Sequence, residues 1–485
     1  MGIASVLNIL SGLVKMKVAA LLLGPMGVGL IGLYQSFVQT GGAIASLGLG
    51  TVGTRQIAAA EAEGGATAVG PVRRALFWGT LALSLIGGLL FFAASDWLAY
   101  HVLEAPQLRQ DVAWLSLGVA LTVAAGSQGA LLTGLRRIGD LARVQVAAGV
   151  LGTVVGALAV WTWGASGILV LVLVAPLVTF VVGHFYVARL ERPLGPRASP
   201  RAMAVTWKHL AVLGVPFMLS GLITTVANLT ARTLVQRELG SDDLGQFQAA
   251  WAIGMTYLSF VLAAMATDYF PRLSAVMGDR AKAISIVNEQ TEVALILCGP
   301  VILAMLAFSP LVVHILYTSA FTPTVGILRW QLLGDLLKII SWPLGFVLLA
   351  SGAGRSFIFA ESSGMGVFVG AVLIGLPLGG VTATGVGFLL LYAVYLPIVY
   401  LMCRRRIGFR WTTRVMWHAL MLGLAAISIA ALSRYSELWT GILGFILTLA
   451  FGLYGLSRLT QVGALGGRIG KLASRLKGCQ DVRQD

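Results

Sequence analysis

Apolar runs long enough to cross a bilayer recur along almost the whole chain, and they restrict its fold more than any other feature. A membrane-spanning helix requires about 20 mostly apolar residues. We count fourteen such stretches, at 3–23, 28–50, 75–95, 112–134, 144–161, 167–188, 210–231, 247–268, 291–317, 330–350, 357–376, 381–402, 415–432 and 439–456. In hydrocarbon the backbone must pair its polar groups within each helix. The sequence therefore predicts an all-α polytopic membrane protein with about 14 transmembrane helices, or 12 if the last pair does not cross.

The composition excludes an ordinary soluble domain. Hydrophobic residues make up 58% of the chain and charged residues 11%, whereas soluble domains contain about 25% charged residues. The net charge of +15 comes mainly from short loops, where basic residues set membrane topology. We therefore expect no nucleic-acid partner. The three cysteines, Cys298, Cys403 and Cys479, form no CxxC motif, so we expect neither a disulfide framework nor a metal site.

Charge alternates between successive loops, and this alternation predicts the orientation. The arginine-rich loops include those around Arg73, Arg136, Arg280 and Arg404. The intervening loops carry acids, namely Asp96, Glu104, Asp111, Asp242 and Asp243. Since basic loops stay on the cytoplasmic side, we expect both termini to be cytoplasmic.

A weak internal repeat predicts how the chain is divided. The segment Leu239–Ser274 echoes a segment near the N-terminus at offsets of 216, 213 and 217 residues, through Leu23-Gly24 and Leu239-Gly240, Tyr34-Gln35 and Phe247-Gln248, and Arg55 and Arg272. Repeats of this length in an apolar chain are typical of transporters with a site between two lobes. We predict an N-terminal six-helix lobe at 1–200, a second at 201–406, and an extra transmembrane pair with a basic tail at 407–485. The tail segment 465–476 is interpreted either as an amphipathic helix on the inner leaflet or as a frayed end.

Ionisable residues within apolar spans are candidate functional groups, because burying a charge in a bilayer is costly. Asp335 and Lys338 are three residues apart and share a helix face; they either couple an ion or form a self-neutralising structural pair. Asp268 and Glu361 are further candidates for ion coupling or gating. Several basic residues suggest an anionic ligand such as a pyrophosphate. The candidate substrate-binding residues are Lys15, Arg55, Arg232, Arg237 and Arg272. Lys17 points away from Lys15, so at most one of the two faces a shared cavity.

Enzymatic motifs do not account for the chain. Gly27–Gly32 fits a GxGxxG pattern, but it opens an apolar span rather than a soluble nucleotide-binding helix. No metalloprotease, hydrolase or Walker motif occurs. A membrane glycan polymerase is the alternative from another class, and it is expected to show catalytic acids or histidines in a sizeable loop.

Several short motifs together resemble one transporter family. They are Leu23-Gly24-Pro25 with Gly27 and Gly29, Leu239-Gly240, the run 245–251, the run 269–274, the run 330–338, and Ala360-Glu361. Over about residues 1–405 the chain resembles O-antigen and lipid-linked-oligosaccharide translocases. These form the polysaccharide branch of the multidrug/oligosaccharidyl-lipid/polysaccharide exporter superfamily, and within that branch the chain resembles lipid III flippases.

The resemblance implies a two-lobed bundle around a central cationic cavity in the bacterial inner membrane. It also implies a transporter, not an enzyme, that needs no cofactor and is driven by a proton or sodium gradient. The implied substrate is an undecaprenyl-pyrophosphate-linked oligosaccharide repeat unit, and the implied partners are a polysaccharide polymerase and a chain-length regulator. Family members usually have twelve spans; the extra pair resembles the fourteen-span lipid II flippases. A multidrug exporter of the same superfamily is a further alternative.

The predicted orientation can be tested by cysteine labelling in intact cells. In a background lacking native cysteines, Asp242→Cys should react with a membrane-impermeant maleimide, because its acidic loop faces outward. Arg280→Cys should react only after the membrane is permeabilised. The opposite pattern would invert the topology.

Overall fold

The computed structural model of the chain describes residues 2–190 and 200–461. Within these ranges the regular structure is helical. The α-helices are α1 (Gly2–Ala45), α2 (Leu49–Trp97), α3 (Arg109–Gly134), α4 (Ile138–Trp163), α5 (Gly167–Ala188), α6 (Pro200–Leu239), α7 (Ser241–Val276), α8 (Arg280–Ala307), α9 (Ser309–Leu316), α10 (Thr324–Ala350), α11 (Gly354–Gly379), α12 (Ala383–Ile407), α13 (Thr413–Leu432) and α14 (Glu437–Gln461). Short turns at Leu98–Val102 (π) and at Pro106–Leu108, Gly164–Ser166, Ser319–Phe321 and Gly380–Thr382 (3-10) complete the regular structure. The predicted tail segment 465–476 and part of the predicted loop between the sixth and seventh spans lie outside the described residues.

Two of the long helices are bent at glycines. In α1, Gly24 has φ 67° and ψ −162°, and Pro25 follows it. Positive φ costs glycine little, and proline cannot donate its backbone nitrogen to the preceding turn. The bend separates the first two predicted spans, which therefore lie in one continuous helical element. Gly65 bends α2 in the same way, at φ 58°.

The prediction of an all-α polytopic fold is confirmed. Within the described ranges, nine stretches are long and apolar enough to cross a bilayer, and the bent pair Ser241–Ser259 and Val261–Val276 makes a tenth. Three of these stretches, Val6–Ala45, Ile138–Ala188 and Gly354–Ile407, are 40, 51 and 54 residues long, so each is long enough for two crossings. The helix count agrees with about fourteen spans.

The ninth predicted span, 291–317, is wrong in extent. Helix α8 starts earlier, at Arg280, and ends at Ala307. Phe308 interrupts the helix with φ −103° and ψ 18°, and α9 then continues separately. Pro310 lies in the first turn of α9, where a helix tolerates a residue that lacks a backbone N–H. The start is capped by the Asp279 side chain, which accepts a hydrogen bond from the Lys282 backbone N–H at 3.2 Å.

The chain divides into two compact units. Unit 1 comprises Met1–Ala249, Leu316–Phe321 and Val372–Val381. Unit 2 comprises Ala250–Ile315, Thr322–Ala371 and Thr382–Asp485. In unit 1, α2 packs on α3 and α4 packs on α5; in unit 2, α10 packs on α8 and α12. The sequence-based division into 1–200, 201–406 and 407–485 stays a prediction.

The last two helices are packed onto unit 2 through small residues. Helices α13 and α14 both contact α8. A Cβ placed on Gly444 would lie 2.1 Å from Cβ of Ala307, and one on Gly455 would lie 2.8 Å from a methyl group of Ile296. Small residues allow helices in a bilayer to approach closely. The extra pair is thus an integral part of unit 2.

A close backbone contact fixes the start of α7 against the bend in α1. A Cβ on Gly245 would lie 2.0 Å from the carbonyl oxygen of Pro25, and one on Gly29 would lie 2.6 Å from that of Ser241. Any larger residue at either position would overlap a backbone oxygen of the facing segment. This region contains the two Leu-Gly dipeptides of the internal repeat. Their glycines, Gly24 and Gly240, both have positive φ, at 67° and 88°.

We predict that Gly245→Ala lowers the free energy of unfolding by about 1–3 kcal/mol, because the added methyl group overlaps a backbone oxygen. The matched control is Gly221→Ala in α6, where a Cβ meets nothing within 4 Å. Thermal unfolding of the detergent-purified protein measures both. Equal midpoints for the two variants would contradict the prediction.

Candidate functional site

A buried ion pair lies within unit 2 on helix α10. Asp335 has 0% exposure and Lys338 has 17%, and Lys338 Nζ lies 3.9 Å from Asp335 Oδ1. The residues are three apart on one helix, so both side chains lie on the same face. At this distance they attract each other electrostatically without a hydrogen bond. The pair is therefore held loosely in apolar surroundings.

Tyr257 of α7 provides the hydrogen bond that the carboxylate receives. Its hydroxyl donates to Asp335 Oδ2 at 2.7 Å. Oδ1 has no hydrogen-bond partner among the described residues. One turn earlier on α10, the amide group of Gln331 is also buried without a hydrogen-bond partner in the described part of the chain. Since buried polar groups are normally paired, this part of unit 2 has spare hydrogen-bonding capacity for a proton or a polar ligand.

The ammonium group of Lys338 lies among aromatic rings. Its Nζ is 5.7 Å from the centre of the Phe388 ring and 5.9 Å from that of Tyr392. The Met255 sulfur is 3.8 Å away. Ring faces attract cations, while a thioether is only a weak acceptor. These contacts hold the charge without binding it to one acceptor, so the ammonium can change partners.

A second carboxylate of unit 2 interacts electrostatically with the same ammonium group. Glu361 of α11 is half-buried, hydrogen-bonds to the Tyr395 hydroxyl and interacts electrostatically with Lys338. The site thus holds two acids and one base, namely Asp335, Glu361 and Lys338. With both acids ionised it carries one excess negative charge, which a single proton would neutralise.

In unit 1, Arg232 is buried with neutral partners. It is 7% exposed. Its Nε donates to Gln248 Oε1 at 3.0 Å and its Nη1 to the Asn228 carbonyl at 3.3 Å. The guanidinium carbon lies 5.8 Å from the centre of the Phe247 ring. These contacts hold the guanidinium in place.

Two of the predicted substrate-binding arginines are already paired with acids. Arg237 is ion-paired with Glu104. Arg272 contacts Asp268 at 3.2 Å and Glu289 at 3.4 Å. All of these side chains are a third or more exposed, and such surface pairs contribute little to stability. Either arginine can therefore exchange its carboxylate partner for a phosphate at small cost.

The remaining two candidates, Lys15 and Arg55, have no ion pair or hydrogen bond with any described residue. Lys15 is half-buried on α1, and Arg55 is exposed near the start of α2. Lys17, by contrast, donates to the carbonyl oxygen of Tyr317. Of the two lysines in the first span, Lys15 is the one without a polar partner in the part of the chain that the structure describes.

The sequence analysis missed a second buried tyrosine–aspartate pair. In unit 1, Tyr34 is fully buried and donates to Asp111 Oδ2 at 2.6 Å across 77 residues. In unit 2, Tyr257 and Asp335 are 78 residues apart. We had assigned Asp111 to an outer loop and compared Tyr34 with Phe247. The common spacing of a Tyr and an Asp in the two halves was the available signal.

We predict that Lys338→Met lowers the free energy of unfolding by roughly 3–5 kcal/mol, because it leaves a buried carboxylate without its counter-ion. Adding Asp335→Asn should restore most of the loss. Lys282→Met is the matched control, since Lys282 is 72% exposed in its pair with Asp279, and it should cost less than about 1 kcal/mol. Thermal unfolding of the wild type, Lys338→Met, Asp335→Asn and the double variant gives the coupling energy between the two residues, and additive effects would contradict the prediction.

The chain is similar to known proteins over most of its length. Residues 18–326 match the family described as "Polysaccharide biosynthesis protein". The chain is 24% identical over 422 residues to the lipid III flippase of Escherichia coli (strain K12), across 83% of this chain and 97% of the relative. The same figures hold for the lipid III flippase of Shigella flexneri.

Solved structures share the fold. One is an inward-facing multidrug resistance MATE transporter of the MOP superfamily, with a TM-score of 0.71 at 19% identity, covering 83% of this chain and 94% of the other. Another is the lipid II flippase MurJ in an inward closed conformation, with a TM-score of 0.71 at 11% identity, covering 96% and 98%. At these identities the similarity establishes the fold alone. The match over residues 18–326 shows that this chain belongs to the polysaccharide biosynthesis protein family.

Proposed function

We propose that the protein is a flippase that moves an undecaprenyl-pyrophosphate-linked oligosaccharide repeat unit, of O-antigen or a related surface polysaccharide, from the cytoplasmic to the periplasmic leaflet of the bacterial inner membrane. The observation that carries the proposal is the similarity to lipid III flippases across 97% of their length. The transporter fold supports a carrier rather than an enzyme.

The basic residues supply contacts for the pyrophosphate during its passage. Lys15 and Arg55 offer charges that no described carboxylate compensates, and Arg232 presents a fixed buried guanidinium. Arg237 and Arg272 exchange acidic partners for phosphate oxygens. Arginine binds phosphate through two parallel hydrogen bonds, whereas lysine acts as a point charge.

The cluster in unit 2 supplies the coupling to an ion gradient. When Asp335 is ionised, Lys338 is attracted to it; when Asp335 is protonated, Lys338 is released toward Glu361. The two arrangements form a two-state element that a proton can bias. We favour a proton over sodium because the lysine ammonium already occupies the position of a cation. Asp268 remains a secondary candidate for gating, through its pair with Arg272.

The coupling is tested in proteoliposomes that contain the purified protein and an undecaprenyl-pyrophosphate-linked glycan, with an imposed pH gradient. We expect Asp335→Asn to abolish the acceleration by the gradient, because the residue can no longer lose a proton, while the protein still binds its lipid. Asp96→Asn is the matched control, since Asp96 is 54% exposed in a surface pair with Arg109. Gradient-driven transport by Asp335→Asn would exclude this site from coupling.

Deleting the gene discriminates among the candidate functions. Loss of a flippase strands lipid-linked repeat units on the inner leaflet. Loss of a glycan polymerase leaves short units on the outer face, and loss of a multidrug exporter raises accumulation of a cationic dye with normal surface polysaccharide. Either of the last two outcomes would contradict the proposal.

A further inference from the structure

An apolar groove runs along the membrane-facing side of unit 1, between α2, α3 and α5. It consists of two adjoining cavities of about 520 and 590 Å³. Ser84, Leu117 and Ala120 line both of them, so the two cavities meet at these residues. Large apolar side chains on its walls, including Leu85, Leu89 and Phe92, are more than half exposed, as expected where a protein meets lipid. The groove is thus open to the hydrocarbon of the bilayer.

The walls of the groove are apolar even where the residues are polar. The Ser84 hydroxyl donates to the Ala120 carbonyl at 2.7 Å, and that of Ser127 donates to Ala124 at 3.0 Å. The Thr80 hydroxyl donates to Leu76 at 2.7 Å. Each hydroxyl is engaged by the backbone, so it does not solvate the groove. A hydrocarbon chain is the occupant that such a lining accepts.

The two ends of the groove differ in charge. One end carries Arg73, Arg74 and His184, and the positive-inside rule places it at the cytoplasmic face. Arg73 Nη2 donates to the Val187 carbonyl at 3.1 Å, which holds the guanidinium at the mouth. The other end is lined by Gln110 and Trp114, which are neutral. A chain with an anionic head therefore binds in one orientation, with its head at the arginines.

The length of the groove distinguishes between kinds of lipid. Along α2, its lining extends from Arg73 to Phe92, which is roughly 28 Å at 1.5 Å per residue. That is close to the full hydrocarbon thickness of about 30 Å. A phospholipid acyl chain covers one leaflet, or about half this distance. A polyprenyl chain is long enough to fill the whole groove.

From these observations we infer a binding site for a long-chain polyprenyl phosphate, with its phosphate at Arg73, Arg74 and His184 and its chain along α2 and α3. The inference rests on the proposed function, in which the substrate carries such a lipid, and extends it by assigning the lipid chain a site on unit 1. The chain is then guided by protein while the glycan crosses, instead of lying free in the bilayer.

The experiment measures binding of radiolabelled undecaprenyl phosphate to the full-length protein in nanodiscs, with phosphatidylglycerol and undecaprenol as competitors. We expect undecaprenyl phosphate to resist displacement by phosphatidylglycerol. Ala124→Trp fills the groove and should weaken binding at least about tenfold, since losing contact with two methylene groups accounts for that much. Leu158→Trp is the matched control on the exposed lipid face of α4, and it should bind normally.

A second variant tests the head-group site without changing the packing of the groove. Arg73→Gln/Arg74→Gln should weaken binding of undecaprenyl phosphate about thirtyfold and leave undecaprenol binding unchanged. Equal displacement by phosphatidylglycerol would identify an ordinary bilayer lipid as the occupant and overturn the inference. Unchanged binding by Ala124→Trp or by the double arginine variant would overturn it as well.

Parallel flipping assays separate this inference from the proposed function. If the wild-type protein moves lipid-linked glycan while Ala124→Trp binds undecaprenyl phosphate normally, the groove is rejected and the flippase function stands. If the wild-type protein binds undecaprenyl phosphate in the groove but moves no glycan, the function is rejected and the binding site stands.

Discussion

The absence of water in the bilayer core is the constraint on which this structure depends. It forces the backbone into helices, because an unpaired backbone group in hydrocarbon is costly. It also means that a charged group at that depth needs partners that compensate its charge. Asp335, with no exposed surface, persists there because Tyr257 and Lys338 compensate its charge. The same charge in water would need neither partner, and it would respond weakly to the loss of either. Burial is thus what makes the cluster sensitive to one proton.

The ion pairs of this protein fall into two groups, namely exposed pairs near helix ends and the buried cluster of unit 2. Exposed pairs such as Arg109–Asp96 and Lys282–Asp279 lie near helix ends, where water screens them. Within unit 2, Lys338 Nζ lies 3.9 Å from Asp335 Oδ1 and 5.7 Å from the centre of the Phe388 ring, and the side chain interacts electrostatically with Glu361. A charge with one good partner stays with it, whereas a charge with two weaker partners can move between them. That difference, rather than burial alone, distinguishes a switch from a structural salt bridge.

The fold could be read from the sequence because hydrophobic length and loop charge are local properties. The bend at Gly24 was marked by the following proline, but the break at Phe308 was not anticipated, because the run 291–317 stays apolar across it. The candidate site could be predicted from the sequence only in part. The spacing of Asp335 and Lys338 is visible along one helix, whereas Tyr257 reaches them from another helix 78 residues away. Long-range partners of this kind depend on tertiary packing, for which periodicity gives no signal.

The two tyrosine–aspartate pairs show how a repeated element can diverge. In each unit a tyrosine donates to an aspartate 77 or 78 residues further along the chain. In unit 1 the aspartate lies in the first turn of α3, where the helix N-terminus favours a negative charge. In unit 2 the aspartate lies twelve residues into α10, far from either helix end. The helix N-terminus therefore does not stabilise its negative charge, and the ammonium group of Lys338 does so instead. An ammonium on a flexible side chain can leave, whereas a helix terminus cannot. The deeper pair is therefore the one that we propose to respond to protonation.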